Sequence, residues 1–287
     1  RALALLLSVC IAAVLTEGAF TWKKGKPVTA AVLVTAVLFT LSLPPTIPIW
    51  MALVGIVFAV VFAKMAFGGM GMNVFNPAVT GRCFVYITFP IAMTATWVLP
   101  ANGGAFPGAL SAWGLDAVSM ATPLDAFKAG GPSSIMGMFL GNTSGCLGET
   151  SALLIIIGGL YLLWRKAASW QIMASCSAGM IIASLILHSI DSTAVALPLY
   201  QALAGGFMFG TVFMATDPIT AAKTPLGKWI YGTLIGFLIV VFRGYSNFSC
   251  GVMFAILIGN MFAPLIDIGV KSWKARQKAR SAATENT

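Results

Sequence analysis

Charge is what this sequence has least of. Only 9% of its 287 residues are Asp, Glu, Lys or Arg, against about 25% in an ordinary soluble domain. It has eight acidic residues and a single histidine. With 59% of its residues hydrophobic and a mean hydropathy of +0.92, no water-soluble fold could enclose so much apolar surface. Alternating ten-residue segments are missing as well, which argues against a membrane β-barrel. The five cysteines (Cys10, Cys83, Cys146, Cys176 and Cys250) show no C-x-x-C spacing. They read as small apolar helix residues, and no metal site is assigned. The net charge of +9 would suit nucleic acid, but the basic residues lie at the ends of apolar runs, where they orient a membrane protein.

What is present is a series of apolar runs, several near the roughly 20 residues that cross a bilayer as helix. The pattern predicts an all-α integral membrane protein, a single membrane domain over residues 1–287. Nine spans are expected near 2–21, 28–44, 47–66, 77–97, 150–164, 169–188, 197–215, 227–243 and 249–270. Arg1 and the run Ala2 to Leu15 have the look of a signal peptide. The basic flank Trp22-Lys23-Lys24-Gly25-Lys26 speaks instead for a spanning helix preceded by further chain, which makes a bundle of nine to ten. Placing successive loops on alternate sides puts Lys23, Lys24, Lys26, Lys64, Arg82, Arg165, Lys166, Lys223, Lys228, Lys271, Lys274, Arg276, Lys278 and Arg280 together. Only Arg1, Lys128 and Arg243 fall opposite. The rule that cytoplasmic loops are basic then predicts a cytoplasmic C-terminus and an outer-face connection over 98–149. The basic tail, 272–287, reads as frayed or helical at the membrane surface, an anchor to anionic lipid.

Four stretches could carry chemistry. Gly68-Gly69-Met70-Gly71-Met72-Asn73-Val74-Phe75-Asn76-Pro77 is either a tight turn with Asn76 capping the next helix, or a loop whose free N–H groups bind a flavin or quinone. Asn73 to Pro77 echoes Asn260 to Pro264 in the form N-x-F-x-P, a hint of two pseudo-repeats with sites at broken helices. Asp217, after the seventh span, is a helix cap, a partner of Lys223 or Lys228, or a cation or proton site. Glu149 precedes an apolar run, as a cap or as a ligand for a cation or a flavin edge. Asp267 reads as a structural partner of Lys271, one turn on, and His188 as a satisfied interface residue. Trp22, Trp50, Trp97, Trp164, Trp170 and Trp229 read as the aromatic belt at span ends. The fourth stretch, Asp116 to Leu124, is a polar island with two hydroxyls, Ser119 and Thr122.

Gly68–Arg82, Asp116–Leu124, Gly148–Ser151 and Met214–Tyr231 together resemble the NqrB/RnfD family, over nearly the whole chain and in the same order. The resemblance implies a ten-helix, multi-pass subunit of the bacterial inner membrane. Its partners would be the other subunits of an Nqr or Rnf complex and the lipid bilayer, with no nucleic acid. The family carries Asp-x-x-Ser/Thr-Gly-Ala-Thr in its outer loop, whose last threonine holds FMN through a phosphoester made by a flavin transferase. The matching positions are Asp116, Ser119, Ala121 and Thr122. The pattern departs at Met120, where glycine is usual. The resemblance therefore implies an electron-transfer subunit coupling redox change to Na⁺ or H⁺ movement, not catalytic alone. Riboflavin or a quinone as a further ligand, or an ion path, would lie near Gly68, Gly69, Asn73, Asn76, Glu149 or Asp217. The length and Thr122-Pro123-Leu124 lean toward the Rnf D subunit. A transporter or channel without redox role is the rival reading.

Overall fold

The structure, a computed structural model, describes residues 1–22, 25, 27–95, 97, 121–246 and 251–285, the last four by backbone alone. Every regular element among them is helical, and the protein is an all-α membrane protein. Helices satisfy all backbone polar groups within one segment, which lipid demands. The long apolar runs become α1 (Ala2–Trp22), α9 (Trp170–Ile190), α12 (Pro225–Tyr245) and the first part of α13 (Gly251–Glu285). These four are long and apolar enough to cross a membrane.

The other five expected spans are shorter or broken. α2 (Ala31–Leu41) has 11 residues, about 16 Å at 1.5 Å per residue, half of the roughly 30 Å hydrocarbon core. Pro44, Pro45 and Pro48 follow and stop it. α3 (Ile49–Phe58) runs on as a π-helical stretch over Ala59–Met65, its Ala66 N–H reaching five residues back to Val61 O at 2.8 Å. The fourth span is two helices, α4 (Pro77–Thr88) and α5 (Pro90–Thr94), parted at Phe89 before Pro90. α8 (Ala152–Trp164) has 13 residues. The seventh is split into α10 (Pro198–Leu203) and α11 (Phe207–Phe209), which continues as a second π stretch over Gly210–Met214. Gly205, with φ +61°, makes that break. The connection after Trp97 is not structureless either: α6 (Pro123–Lys128) and α7 (Ile135–Leu140) lie within it.

Close approach of backbones builds the bundle. α9 lies along α12, and a side chain at Gly179 would come within 2.4 Å of Thr233 O. One at Gly236 would come within 2.1 Å of Cys176 O. Such small-residue contacts replace a hydrophobic drive that lipid cannot supply. In the other half, Gly81 of α4 packs on Ala59 and Gly55 of α3. One buried apolar core joins the halves, from Leu5 and Val9 through Val79 to Tyr231, Ile235 and Ile256. α13 is a single helix of 35 residues, about 50 Å long, so the basic tail continues the last span without a break.

Candidate functional site

Two cavities back onto each other across the bundle. The first, a partly open cleft, gathers Thr122, Arg82, Glu149, Arg243 and the break at Gly205–Gly206. Thr122 enters it as the N-cap of α6. Its Oγ1 accepts the Asp125 N–H at 3.3 Å, and its hydroxyl donates to Asp125 Oδ2 at 2.6 Å. This is the reciprocal threonine-acid cap that the spacing Thr122-x-x-Asp125 allows, with Pro123 pre-set for the first turn. Two outside groups clamp the segment. Ser144 donates to Ala121 O at 2.6 Å, and the Tyr200 hydroxyl donates to Pro123 O at 2.6 Å. Thr122 is left 8% exposed.

Two arginines face this hydroxyl's cleft from α4 and α12. Arg82 is buried, and its Nη2 donates to Cys146 Sγ at 3.4 Å. Arg243 is 2% exposed. Its Nη1 donates to Gln201 O and Oε1 at 2.7 and 3.1 Å, and its Nη2 to Ala204 O at 2.9 Å. Those carbonyls belong to the C-terminal end of α10, which the break at Gly205 frees to turn inward. Glu149 Oε1 accepts the Cys146 N–H at 2.9 Å. Its Oε2 is buried with no hydrogen-bond partner among the described residues. A side chain at Gly206 would come within 2.6 Å of that oxygen, so glycine there leaves the carboxylate its room.

The second cavity, about 340 Å³, is lined by Lys64, Asn73, Asn76, Thr216 and Asp217, with apolar walls that include Val34, Leu38, Leu162 and Phe213. The π stretches deliver Lys64 and Phe213 to it; such distortions re-aim side chains and are frequent at functional sites. Asn76 caps α4, accepting Ala78 N–H at 3.0 Å and Val79 N–H at 3.3 Å. Its Nδ2 donates to Met214 O at 3.2 Å. Met214 lines the first cavity, so this bond is part of the wall between the two. Asn260 Oδ1 takes the Asn76 N–H at 3.1 Å, so the two N-x-F-x-P segments meet through their asparagines. Asp217 accepts from Ile219 N–H at 3.2 Å and from the Thr220 hydroxyl at 2.9 Å. Burial pushes its carboxyl above the usual value, more than those bonds hold it down.

The expected residues therefore divide. Thr122 and Glu149 share the first cavity; Asn73, Asn76 and Asp217 share the second. Gly68 and Gly69, at φ +113° and +104°, shape the turn that leads to Asn73 and line neither cavity. Asp116, Ser119 and Met120 lie outside the described residues, and Ala121 is held by Ser144 as above. Cys250 lies outside them too. Asp267 accepts three hydrogen bonds from the Lys223–Thr224 turn, which makes it an anchor for the start of α12 beyond its expected pairing with Lys271. His188 Nδ1–H donates to Val195 O at 2.6 Å. Trp97 is no belt residue: it is 5% exposed and lines the first cavity. Arg82 and Lys64, both counted with the loop cations, stand inside the protein, which leaves twelve of those fourteen for the basic side. Sequence reasoning passed over Glu17, 1% exposed in α1, whose Oε2 is 2.7 Å from Lys64 Nζ. An acid inside an apolar run was the available signal.

Comparison with known proteins gives a consistent picture. Residues 1–275 match the NQR2, RnfD, RnfE family. The B subunit of the Na(+)-translocating NADH-quinone reductase of Pseudomonas paraeruginosa is 43% identical over 248 residues, 82% of this chain and 58% of the relative. Its namesake from Ectopseudomonas mendocina is 46% identical over 246 residues, 82% of this chain and 58% of the relative. That of Klebsiella pneumoniae subsp. pneumoniae is 44% identical over 259 residues, 86% of this chain and 61% of the relative. The chain thus spans about three fifths of the length of these relatives. With the match running from before α1 well into α13, the chain belongs to the NQR2, RnfD, RnfE family.

Proposed function

We propose that this chain is an electron-transfer membrane subunit of an ion-translocating redox complex, carrying FMN joined to Thr122. The observation that carries the reading is the Thr122 hydroxyl opening on a cleft with two buried guanidinium groups. A flavin bound there supplies one- and two-electron redox chemistry. The cleft suits that group. Arg82 and Arg243 would hold negative charge in a low dielectric, and the open Oε2 of Glu149 offers an acceptor for a ring N–H. Attachment would replace the cap bond that Thr122 now makes with Asp125.

The names of the relatives favour an Nqr-type complex over the Rnf complex toward which the length leaned. The bacterial inner membrane would be its location, with the other complex subunits and a flavin transferase as partners. The C-terminus would be cytoplasmic and the first cavity would open to the outer face. The second cavity would seat a quinone. The split α10–α11 segment between the cavities is the kind of broken helix that lines ion paths, so ion movement fits within this reading without a separate transporter.

Co-expression with a flavin transferase tests it. On a denaturing gel under ultraviolet light, the 30.0 kDa chain is expected to fluoresce and Thr122→Ala to stay dark. A dark wild-type band overturns the covalent attachment.

A further inference from the structure

A third cavity, about 280 Å³, lies at the end of the bundle where α9 and α12 begin. Its walls carry Lys166, Ser169, Lys223 and Lys228. It shares Thr216 and Pro218 with the second cavity, but none of these three lysines borders that one. No acidic residue among those described lines it, and among the described residues the three lysines make no ion pair. The acids on adjoining turns are engaged elsewhere. Asp267 accepts the Lys223 and Thr224 N–H groups and the Thr224 hydroxyl. Asp217 accepts from Ile219 and Thr220.

Three ammonium groups around one concave space repel one another, and an anion entering among them relieves that repulsion. Ser169 is the N-cap of α9 but makes no side-chain cap bond. Its hydroxyl is thus a further donor at the positive end of that helix. The donor set suits an oxyanion such as phosphate.

The surroundings say where the phosphate comes from. α9 and α12 are both long and apolar enough to span, so a cavity at their common end lies at headgroup level. Trp170 and Trp229, near the starts of the two helices, meet edge to face with ring centroids 6.0 Å apart. They stay 58% and 39% exposed, as amphipathic rings do at the membrane interface. A free anion makes no use of an exposed indole pair. A phospholipid lays its glycerol and upper chains against one while its phosphate reaches the lysines. A zwitterionic headgroup would also bring its own cation toward the three ammonium groups, so an anionic lipid fits better.

We infer that this cavity binds the phosphate of an anionic phospholipid headgroup through Lys166, Lys223 and Lys228.

The test uses the full chain in neutral detergent micelles, supplied with phosphatidylglycerol, phosphatidylcholine or inorganic phosphate. Bound lipid is counted by native mass spectrometry, and the melting temperature is followed in parallel. Wild-type protein is expected to hold phosphatidylglycerol more tightly than phosphatidylcholine and to melt higher with it. The Lys166→Gln/Lys223→Gln/Lys228→Gln variant is expected to bind phosphatidylglycerol about ten- to a hundredfold more weakly, from the loss of three charges near a headgroup. Lys166→Arg/Lys223→Arg/Lys228→Arg keeps the charges and is expected to keep the binding. Lys274→Gln/Lys278→Gln, in the basic tail, is expected to bind as wild type does. Equal retention of the two lipids, a glutamine variant that binds like wild type, or loss in the tail variant alone overturns the site. Inorganic phosphate that raises the melting temperature of wild type but not of the glutamine variant, without lipid retention, makes the ligand a free anion and overturns the lipid.

Discussion

A charge buried in a membrane bundle needs a counter-charge or well-aimed carbonyl dipoles beside it. Lys64 and Glu17 are 3% and 1% exposed and 2.7 Å apart. Removing one partner leaves the other uncompensated, at a cost of about 3–5 kcal/mol. Lys64→Met and Glu17→Gln are each expected to lower unfolding stability in micelles by that order, and the double variant to recover most of the loss. A double variant as unstable as the sum of the singles would refute the coupling. Asp217 gives a pH prediction. Its folded carboxyl lies above the ordinary 3.8 because burial disfavours the charged form. Just above pH 3.8 the native state then binds more protons than the unfolded one, so this group's contribution to stability falls as pH rises through that window. Asp217→Asn is expected to flatten that part of the curve of melting temperature against pH. An unchanged slope would show that the carboxyl is not held high.

At the scale of elements, hydropathy and caps locate helices well where a run is long and unbroken. α1, α9 and α12 begin and end within about two residues of the expected bounds, mostly apolar and flanked by polar turns. Hydropathy is blind to interruptions, because Phe89-Pro90 and Gly205-Gly206 scarcely lower a window average. Hence two expected spans are each two helices. Nor does it see π stretches, which depend on how neighbours press on the backbone. Packing between elements makes a further prediction. Gly179→Leu would drive its side chain into the Thr233 backbone, 2.4 Å from the first added carbon. It is expected to lower stability by about 1–3 kcal/mol or more. Gly269 of α13 has nothing within 4 Å of that point, so Gly269→Ala is expected to leave stability unchanged or raise it by up to about 1 kcal/mol. Equal losses from both changes would contradict the α9–α12 contact.

The whole molecule brings two cavities within a few turns of one helix. Asn76, at the start of α4, borders one and Arg82 the other, about 9 Å apart along the helix axis. In the proposed complex a flavin and a quinone would thus sit on either side of a thin wall closed by the Asn76–Met214 bond. The proposed orientation rests on the charge asymmetry and has a direct check. In intact cells, a cysteine at Gly131 is expected to react with a membrane-impermeant maleimide. One at Lys278 is expected to react only after permeabilisation. The reverse pattern would invert the topology. Composition and periodicity alone determined that this is a helical membrane protein, since too few charges and too many apolar runs allow nothing else. The resemblance in Asp116–Leu124 singled out Thr122. What only the tertiary structure decided is the company these residues keep: Arg82 and Arg243 beside Thr122, Glu17 beside Lys64, Asn76 against Asn260. Each pair joins segments distant in the chain, and a local pattern holds no record of which buried polar group will meet which. That is decided when the bundle closes and buried donors and charges seek partners out of reach of water.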